Sequence, residues 1–218
     1  MRTLNQLFVN NEAWARSRVA EDPDYFKRLV NQQQPDYFWI GCADSRVPAN
    51  EILGLPPGEV FVHRNVANVV VHTDFNCLTV TQFAVEVLKV KHIMVVGHYG
   101  CSGVNKALRQ ERVGLSDNWL RHVRDVADRH APRLYAIPDD KTQHDRLVEL
   151  NVLHQALHIG QTTIVEAAWE RGQTLSLHAW VYALEDGRLR DLGMTVNSRD
   201  ELEPAHSAAV ERILGGKR

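Results

Sequence analysis

Strand-like segments that alternate with helix-like segments are the feature that most constrains the fold of this chain. Three short segments are rich in aromatic, β-branched or other apolar residues: 36–42 (DYFWIGC), 59–65 (EVFVHRN) and 91–98 (KHIMVVGH). The third is almost continuously apolar, which is typical of a strand buried on both faces of a parallel sheet. Strands separated by helices predict an α/β fold with a mostly parallel central sheet and flanking helices. The helical patterns span 73–90, 103–110, 116–131 and 143–171.

The two ends of the chain add to this prediction. Residues 175–184 alternate as a strand does, and EDGR predicts a turn into a last strand, which makes an antiparallel edge hairpin. At the other end, residues 3–20 predict a helix, and a second helix is predicted behind Asp22 with Pro23 at its first position. We therefore predict a single domain over residues 1–218, in which residues 1–34 form an N-terminal helical arm.

Charge and composition exclude several kinds of function. The 25 basic and 27 acidic residues give a net charge of −2, so we expect no nucleic-acid surface. No stretch of about 18 consecutive apolar residues occurs, so no membrane-spanning helix is predicted. The first residues lack the apolar core of a secretory signal, and the three cysteines are an odd number. Reduced thiols in a cytoplasmic protein are therefore expected, and metal binding or catalysis becomes the interesting use of cysteine.

Two cysteines and a histidine follow the ends of predicted strands. Cys42 ends the first strand, His98 ends the third, and Cys101 comes three residues later. Because ligands bind beyond the carboxyl ends of strands in an open α/β sheet, we expect these side chains to meet. Two thiolates and one imidazole suit zinc, and three protein ligands leave the fourth tetrahedral position open. The alternative is that both cysteines are buried core thiols and that His98 is an ordinary loop histidine.

Asp44 and Arg46 lie directly after the first of these cysteines. A zinc site with an open position lowers the pKa of a bound water to about 7, which makes hydroxide available near neutrality. Asp44 is near enough to accept a hydrogen bond from that hydroxide and orient it, but it could also bind the zinc and close the site. Arg46 decides between these states if it holds the carboxylate in a bidentate pair. The alternative is a structural ion pair that caps a loop.

The segments CADSRVP and GHYGCSG resemble the C-x-D-x-R and H-x-x-C motifs of the β-class carbonic anhydrases. The similarity extends through FVHRNVAN, HTDFNCL and LSLHAWVY, so it covers nearly the whole chain. It implies a zinc lyase that reversibly hydrates carbon dioxide to bicarbonate and a proton. The residues that it implies are the zinc ligands Cys42, His98 and Cys101 and the catalytic pair Asp44 and Arg46.

The same resemblance implies that a partner subunit contributes to the site. Members of the family use a glutamine from the partner's N-terminal arm to contact substrate, and Gln33 is the match, with Gln32 and Gln34 as neighbours. A homodimer is implied and a dimer of dimers is favoured, with the arm packing on the partner. Val66 and Phe83 would line the carbon dioxide pocket, whereas from the residues alone they would be ordinary core.

A bacterial subgroup of the family has a second, non-catalytic bicarbonate site formed by a tryptophan, an arginine and a tyrosine. Trp39, Arg64 and Tyr182 stand at matching positions, so the resemblance implies allosteric inhibition by bicarbonate. The alternative is that the two aromatic residues belong to the core and that Arg64 forms an ion pair in a dimer. Ser102 departs from the family pattern, because many relatives have glycine there.

Two other functions stay open. One is a non-catalytic zinc-binding protein in which Asp44 is a permanent fourth ligand, and the other is a related zinc hydrolase such as a carbon disulfide hydrolase. Among the remaining residues, His154 and His158 lack the glutamate of H-E-x-x-H and are predicted to be a surface pair, while Cys77 is predicted to be core. Three further histidines are candidates for moving protons: His63, His72 and His178.

Overall fold

The computed structural model describes residues 4–215, and the chain divides into two compact units between Gln34 and Pro35. The first unit contains α1 (Leu4–Glu21) and α2 (Tyr25–Val30). α1 confirms the predicted first helix, although residue 3, its predicted first residue, lies outside the described residues. α2 begins later than predicted, because the side chain of Asp22 accepts a hydrogen bond from the backbone N–H of Asp24 and forms a turn before the helix.

The second unit is built on a five-stranded sheet. Its order is β2-β1-β3-β4-β5, with β2, β1, β3 and β4 parallel to one another and β5 antiparallel to β4. This confirms the predicted mostly parallel sheet with an antiparallel edge hairpin. The strands are β1 (Tyr37–Cys42), β2 (Val60–Asn65), β3 (His92–His98), β4 (Ser176–Ala183) and β5 (Arg188–Val196).

The strand register brings the carboxyl ends of β1, β2 and β3 to one edge of the sheet. Cys42 at the end of β1 lies opposite Asn65 at the end of β2. Gly41 lies opposite Val96, so β3 extends two residues further before it ends. The loops that follow these strands therefore start close to one another, as a binding site at this edge requires.

The helices of the second unit depart from the predicted pattern in several places. The predicted helix 143–171 is two helices, because the hydroxyl of Thr162 accepts from the backbone N–H of Val165 and starts a new one. The predicted helix 73–90 ends in a wider π-helical turn over Phe83–Val87. The helices are α3 (Ala49–Leu53), α4 (Phe75–Gln82), α5 (Ser102–Leu108), α6 (Ser116–Arg129), α7 (Ala131–Leu134), α8 (Asp140–Gly160), α9 (Thr163–Glu170) and α10 (Arg199–Leu214).

Both faces of the sheet are apolar, which is why β1 and β3 read as continuous apolar segments. Phe38 and Ile40 of β1 face the larger cluster, which also contains most of the buried side of α8. Trp39 faces the other way, into a smaller apolar cluster that we define as Trp39, Val47, Ala49, Met94 and Val96. Of the helices in the described part of the chain, none has the length and apolar character needed to cross a membrane.

Candidate metal centre

The three predicted metal ligands meet at the carboxyl edge of the sheet. Each of Cys42, His98 and Cys101 offers a ligand atom within 4.8 Å of the other two, and the two sulfurs are 3.9 Å apart. All three residues are buried. Cys42 and His98 end neighbouring parallel strands, and Cys101 immediately precedes α5. The alternation of strands and helices therefore assembles the group, as the positions at strand ends predicted.

The donor atoms of this group fit a zinc ion. Nδ1 of His98 lies 3.1 Å from the carbonyl oxygen of Tyr99, and because a carbonyl only accepts, Nδ1 carries the proton. Nε2 is therefore left with its lone pair, and it is buried without a hydrogen-bond partner in the described part of the chain. Such an arrangement of the second ring nitrogen is usual for a metal-ligating histidine.

The two thiols of the group differ in protonation. The hydrogen bond from Cys101 lowers the pKa of Cys42 far below that of an ordinary thiol, and the same contact together with burial raises the pKa of Cys101. The backbone N–H of Ala67 donates to Sγ of Cys42 at 3.4 Å and also favours its thiolate. A buried thiolate beside an imidazole nitrogen with a free lone pair is a strong ligand set for a divalent cation.

Arg46 holds the carboxylate of Asp44 beside this group. The backbone N–H and Nε of Arg46 both donate to Oδ1 at 2.9 Å, and Nη2 donates to Oδ2 at 2.8 Å. The guanidinium of Arg46 therefore keeps the pKa of Asp44 well below its usual range, so the carboxylate is ionised at neutral pH. Oδ2 is 3.6 Å from Nε2 of His98. The predicted bidentate pair is present, and its catalytic role stays a prediction.

The residues predicted to bind bicarbonate lie on three different strands. Trp39 is fully buried, and its Nε1 has no hydrogen-bond partner among residues 4–215. The indole lies over Gly41, whose neighbour across the β1–β2 ladder is Arg64. Arg64 is exposed, and its Nε donates to the carbonyl oxygen of Cys42 at 2.9 Å while Nη2 donates to that of Asp44. Tyr182 packs against the smaller apolar cluster.

Three other predicted contributors are exposed, and two of these were expected to be core from the residues alone. Gln33 is an exposed residue of the first unit. Val66 and Phe83 are 46% and 41% exposed, so the alternative that they are ordinary core residues is wrong. Both side chains are therefore accessible to solvent, and their role in a carbon dioxide pocket stays a prediction.

The prediction of a surface pair at His154 and His158 is wrong. His154 is only 1% exposed, and its Nε2 lies 2.8 Å from Nε2 of His130. His158 is half-buried, with Nδ1 3.0 Å from the carbonyl oxygen of Val70. The reason is that α8 is covered on nearly all sides, so i, i+4 spacing does not mark a solvent face on it. Cys77 is fully buried as predicted, and burial raises its pKa to about 11.

Sequence reasoning missed two polar residues of α8 that contact the loops around the metal group. Nε2 of His144 donates to the carbonyl oxygen of Cys101 at 3.1 Å, and Nδ2 of Asn151 donates to that of Ala67 at 2.9 Å. The sequence did contain a signal for them, because α8 is apolar enough to be buried and still contains polar residues. A buried polar side chain needs a hydrogen-bond partner, so such residues indicate a specific contact.

Comparisons with known proteins agree with this geometry. A family model described as carbonic anhydrase matches residues 37–189, which include every predicted site residue except Gln33. A carbonic anhydrase from Emericella nidulans is 47% identical over 88% of this chain and 85% of its own length. One from Candida albicans is 33% identical over 94% of this chain and 73% of its own length.

Solved structures give the same result. A Coccomyxa β-carbonic anhydrase in complex with acetazolamide matches with a TM-score of 0.89 and 36% identity, over 97% of this chain and 96% of that one. A tetrameric β-carbonic anhydrase from Sordaria macrospora matches with a TM-score of 0.83 and 39% identity, over 88% and 98%. Relatives occur in fungi, plants and bacteria, so membership of a bacterial subgroup stays a prediction. The chain belongs to the carbonic anhydrase family, in its β class, and is an enzyme that hydrates carbon dioxide.

Proposed function

We propose that this enzyme interconverts carbon dioxide and bicarbonate at a zinc ion held by Cys42, His98 and Cys101. The observation that carries the proposal is a buried group of two sulfurs and one imidazole nitrogen, next to a carboxylate that an arginine holds in place. That nitrogen, Nε2 of His98, has no hydrogen-bond partner within residues 4–215. When bound there, zinc supplies Lewis-acid chemistry that makes hydroxide available from water near neutral pH.

Asp44 and Arg46 have separate roles in this proposal. The ionised carboxylate of Asp44 would accept a hydrogen bond from the attacking hydroxide and so direct a lone pair at the carbon of carbon dioxide. Its low pKa means that Asp44 stays ionised and only accepts this hydrogen bond. The proton released when water ionises to hydroxide would pass to solvent, and the hydroxide would keep its own hydrogen as part of bicarbonate. Oδ2 of Asp44 is only 3.6 Å from Nε2 of His98, so the carboxylate could turn toward the metal ligands. Arg46 prevents this by holding the carboxylate in place. This restraint also argues against a non-catalytic protein in which Asp44 is a permanent ligand.

The test combines metal analysis with stopped-flow measurement of acidification when purified protein is mixed with carbon dioxide. We expect one zinc per chain in the wild type, and Cys101→Ser should lose most of the zinc and the activity. Cys77→Ser is the matched control, because Cys77 is equally buried but lies outside the ligand group. Carbon disulfide in place of carbon dioxide tests the related hydrolase.

A reversed result would contradict the proposed site. His63, Asp74 and Cys77 also have ligand atoms within 4.8 Å of one another. Zinc retained by Cys101→Ser and lost by Cys77→Ser would therefore move the metal to this second group. Zinc retained with no acidification of carbon dioxide would favour the binding protein.

We also propose that bicarbonate inhibits the enzyme through Trp39, Arg64 and Tyr182. The buried Nε1 of Trp39 has no acceptor in the described part of the chain, and an anion beside it would supply one. Arg64 now donates to the carbonyl oxygens of Cys42 and Asp44. Because an anion bound by Arg64 competes with these carbonyls, binding would loosen the backbone that positions Asp44 and favour its release from Arg46.

Kinetic inhibition tests the bicarbonate site. We expect activity to rise steeply in mildly alkaline solution, with a slope greater than a single titration, and inhibition by bicarbonate beyond product competition. Trp39→Phe and Tyr182→Phe remove one donor each and should weaken the inhibition while the zinc content stays unchanged. The proposal would be contradicted if bicarbonate inhibited both variants as strongly as the wild type and the activity of the wild type followed the titration of a single proton. Trp39 and Tyr182 would then be ordinary core residues.

The active assembly is proposed to be a homodimer, with two dimers forming a tetramer. The tetrameric relative from Sordaria macrospora supports a closed assembly. In this proposal the whole chain acts as one domain whose arm packs on the partner, and Gln33 of the partner subunit contacts substrate. The cytoplasm is proposed as the compartment because all three cysteines are free, which suits a reducing environment. Cell fractionation tests the compartment.

A further inference from the structure

Helix α8 contacts the backbone on both sides of the proposed metal centre. His144, in its second turn, donates from Nε2 to the carbonyl oxygen of Cys101 at 3.1 Å. Asn151, two turns further, donates from Nδ2 to the carbonyl oxygen of Ala67 at 2.9 Å. Both side chains are buried, at 8% and 0% exposure. A single rigid helix therefore joins two loops that are distant in sequence.

The Ala67 contact leads directly to the first sulfur of the group. The backbone N–H of Ala67 donates to Sγ of Cys42 at 3.4 Å. Ala67 and Asn68 have φ values of 63° and 47°, a left-handed conformation that is uncommon outside glycine. Such backbone persists only where surrounding contacts hold it. Asn151 supplies one of these contacts, and Gln155 fixes the amide of Asn151 by donating to its Oδ1 at 2.9 Å.

The His144 contact acts on the second sulfur. Cys101 is the cap residue of α5, and its carbonyl oxygen already accepts from the backbone N–H of Asn105 at 3.0 Å. His144 donates to the same oxygen from the side of α8. Two donors from different helices fix the peptide plane after Cys101 and, with it, the direction of the Cα–Cβ bond.

We propose that His144 and Asn151 are positioning residues of the metal centre. They hold Cys101 and, through Ala67, Cys42 at the separation that lets both sulfurs and Nε2 of His98 face one ion. The inference rests on the proposed zinc site. Both side chains donate to backbone carbonyl oxygens, so both act on how tightly and in what geometry the metal is held.

The experiment measures the metal rather than turnover alone. His144→Leu and Asn151→Leu remove the donors at similar side-chain volume. Each should speed transfer of zinc to an added chelator by about 10-fold or more, as loss of outer-shell partners typically does. In protein loaded with cobalt(II), the absorption bands should shift, because the sulfur positions change. His144→Gln should restore both readouts, since its amide nitrogen donates from about the same distance along the side chain.

Gln143→Leu is the matched control. Gln143 is also buried in α8, at 7% exposure, and donates to backbone carbonyls, but those belong to Leu134 and Ile137, outside the metal group. Wild-type zinc release in both the His144→Leu and Asn151→Leu variants would overturn the proposal. Equally fast release from Gln143→Leu would also overturn it, because it would show a general loosening of α8.

Two further measurements keep these outcomes distinct. Asn151→Ser removes the amide without adding volume, and it replaces Asn151→Leu if that variant does not fold. Faster zinc release from Asn151→Ser supports the positioning role, and wild-type release contradicts it. Zinc retained by Cys101→Ser would refute the zinc site itself rather than the positioning role. That variant is therefore measured beside the α8 variants under the same chelator conditions.

Discussion

Two arginines restrain Asp44 from different directions. Arg46 binds the carboxylate through its side chain and its backbone N–H, whereas Arg64 binds the backbone carbonyl oxygen of the same residue. The first contact fixes where the charge points, and the second fixes the loop that carries it. A change at one arginine therefore should not reproduce a change at the other.

Loss of Arg46 should close the site without removing the metal. In Arg46→Ala the carboxylate loses both side-chain donors and is free to turn toward the ligand group. We expect carbon dioxide hydration to fall by at least about 100-fold, the scale of losing an oriented acid–base group. Zinc should stay near one per chain. Arg121→Ala, which removes an exposed ion pair with Asp125, is the control. Stopped-flow rates near wild type in Arg46→Ala would remove the pair from the mechanism.

Residue-level prediction from the sequence succeeded where the fold alone decides position. Cys42 and His98 end strands, and strand ends in a parallel sheet meet at one edge, so their convergence was predictable. His144 and Asn151 were not predictable, because their partners are backbone carbonyls on loops whose path depends on tertiary packing. His154 was misjudged for the same reason, since spacing along a helix does not reveal what covers it.

At the element scale, the strands and most helices were predictable, and three short or atypical helices were missed: α3, α7 and α10. α3 has only five residues and α7 only four, too few for a periodic pattern. α10 carries Pro204 in its interior, a residue that usually ends or kinks a helix. Packing of α10 against α8 and β5 overrides that local signal. Tertiary contacts, which no local pattern contains, therefore account for the omission of α10.

The exposed apolar residues of α1 lead to a testable prediction about assembly. None of its residues is buried, and Leu4 and Phe8 are 77% and 75% exposed. An apolar face of this kind marks an interaction surface. In the double variant Leu4→Glu/Phe8→Glu we expect a smaller assembly by light scattering, and lower activity if the partner's arm completes the site. Asn11→Glu, a polar and exposed position on the same helix, is the control. An unchanged mass for the double variant would contradict a role of the arm in assembly.

At the scale of the whole molecule, three histidines from distant parts of the chain meet, and two of them, His154 and His206, are buried. His130 follows α6, His154 lies in α8, and His206 lies in α10. The rings of His154 and His206 are 4.6 Å apart, and Nη1 of Arg129 lies 3.4 Å from Nδ1 of His154. Burial, with neighbouring positive groups, lowers the pKa of His154 to about 2 and that of His206 to about 4.

These histidines should make the fold sensitive to mild acid. In the unfolded chain each has a pKa near 6.5, so below that pH the unfolded state binds protons that the folded state does not. The free energy of unfolding should therefore be constant above about pH 7 and fall below pH 6.5, approaching about 1.4 kcal/mol per pH unit for each histidine. Urea unfolding at several pH values measures it. His206→Gln should flatten the slope, and the exposed His72→Gln should not. Equal slopes in all three proteins would contradict this account.

The position of the two sulfurs in the chain also bears on the order of folding events. Cys42 and Cys101 are separated by 59 residues, and they approach only when β1 has paired with β3. Such non-local parallel pairing forms slowly, after local helices. All three protein ligands of the metal ion therefore come together late in folding, after the chain has passed its folding transition state. We expect bound zinc to slow unfolding far more than it speeds folding, so that it raises the kinetic stability of the folded sheet.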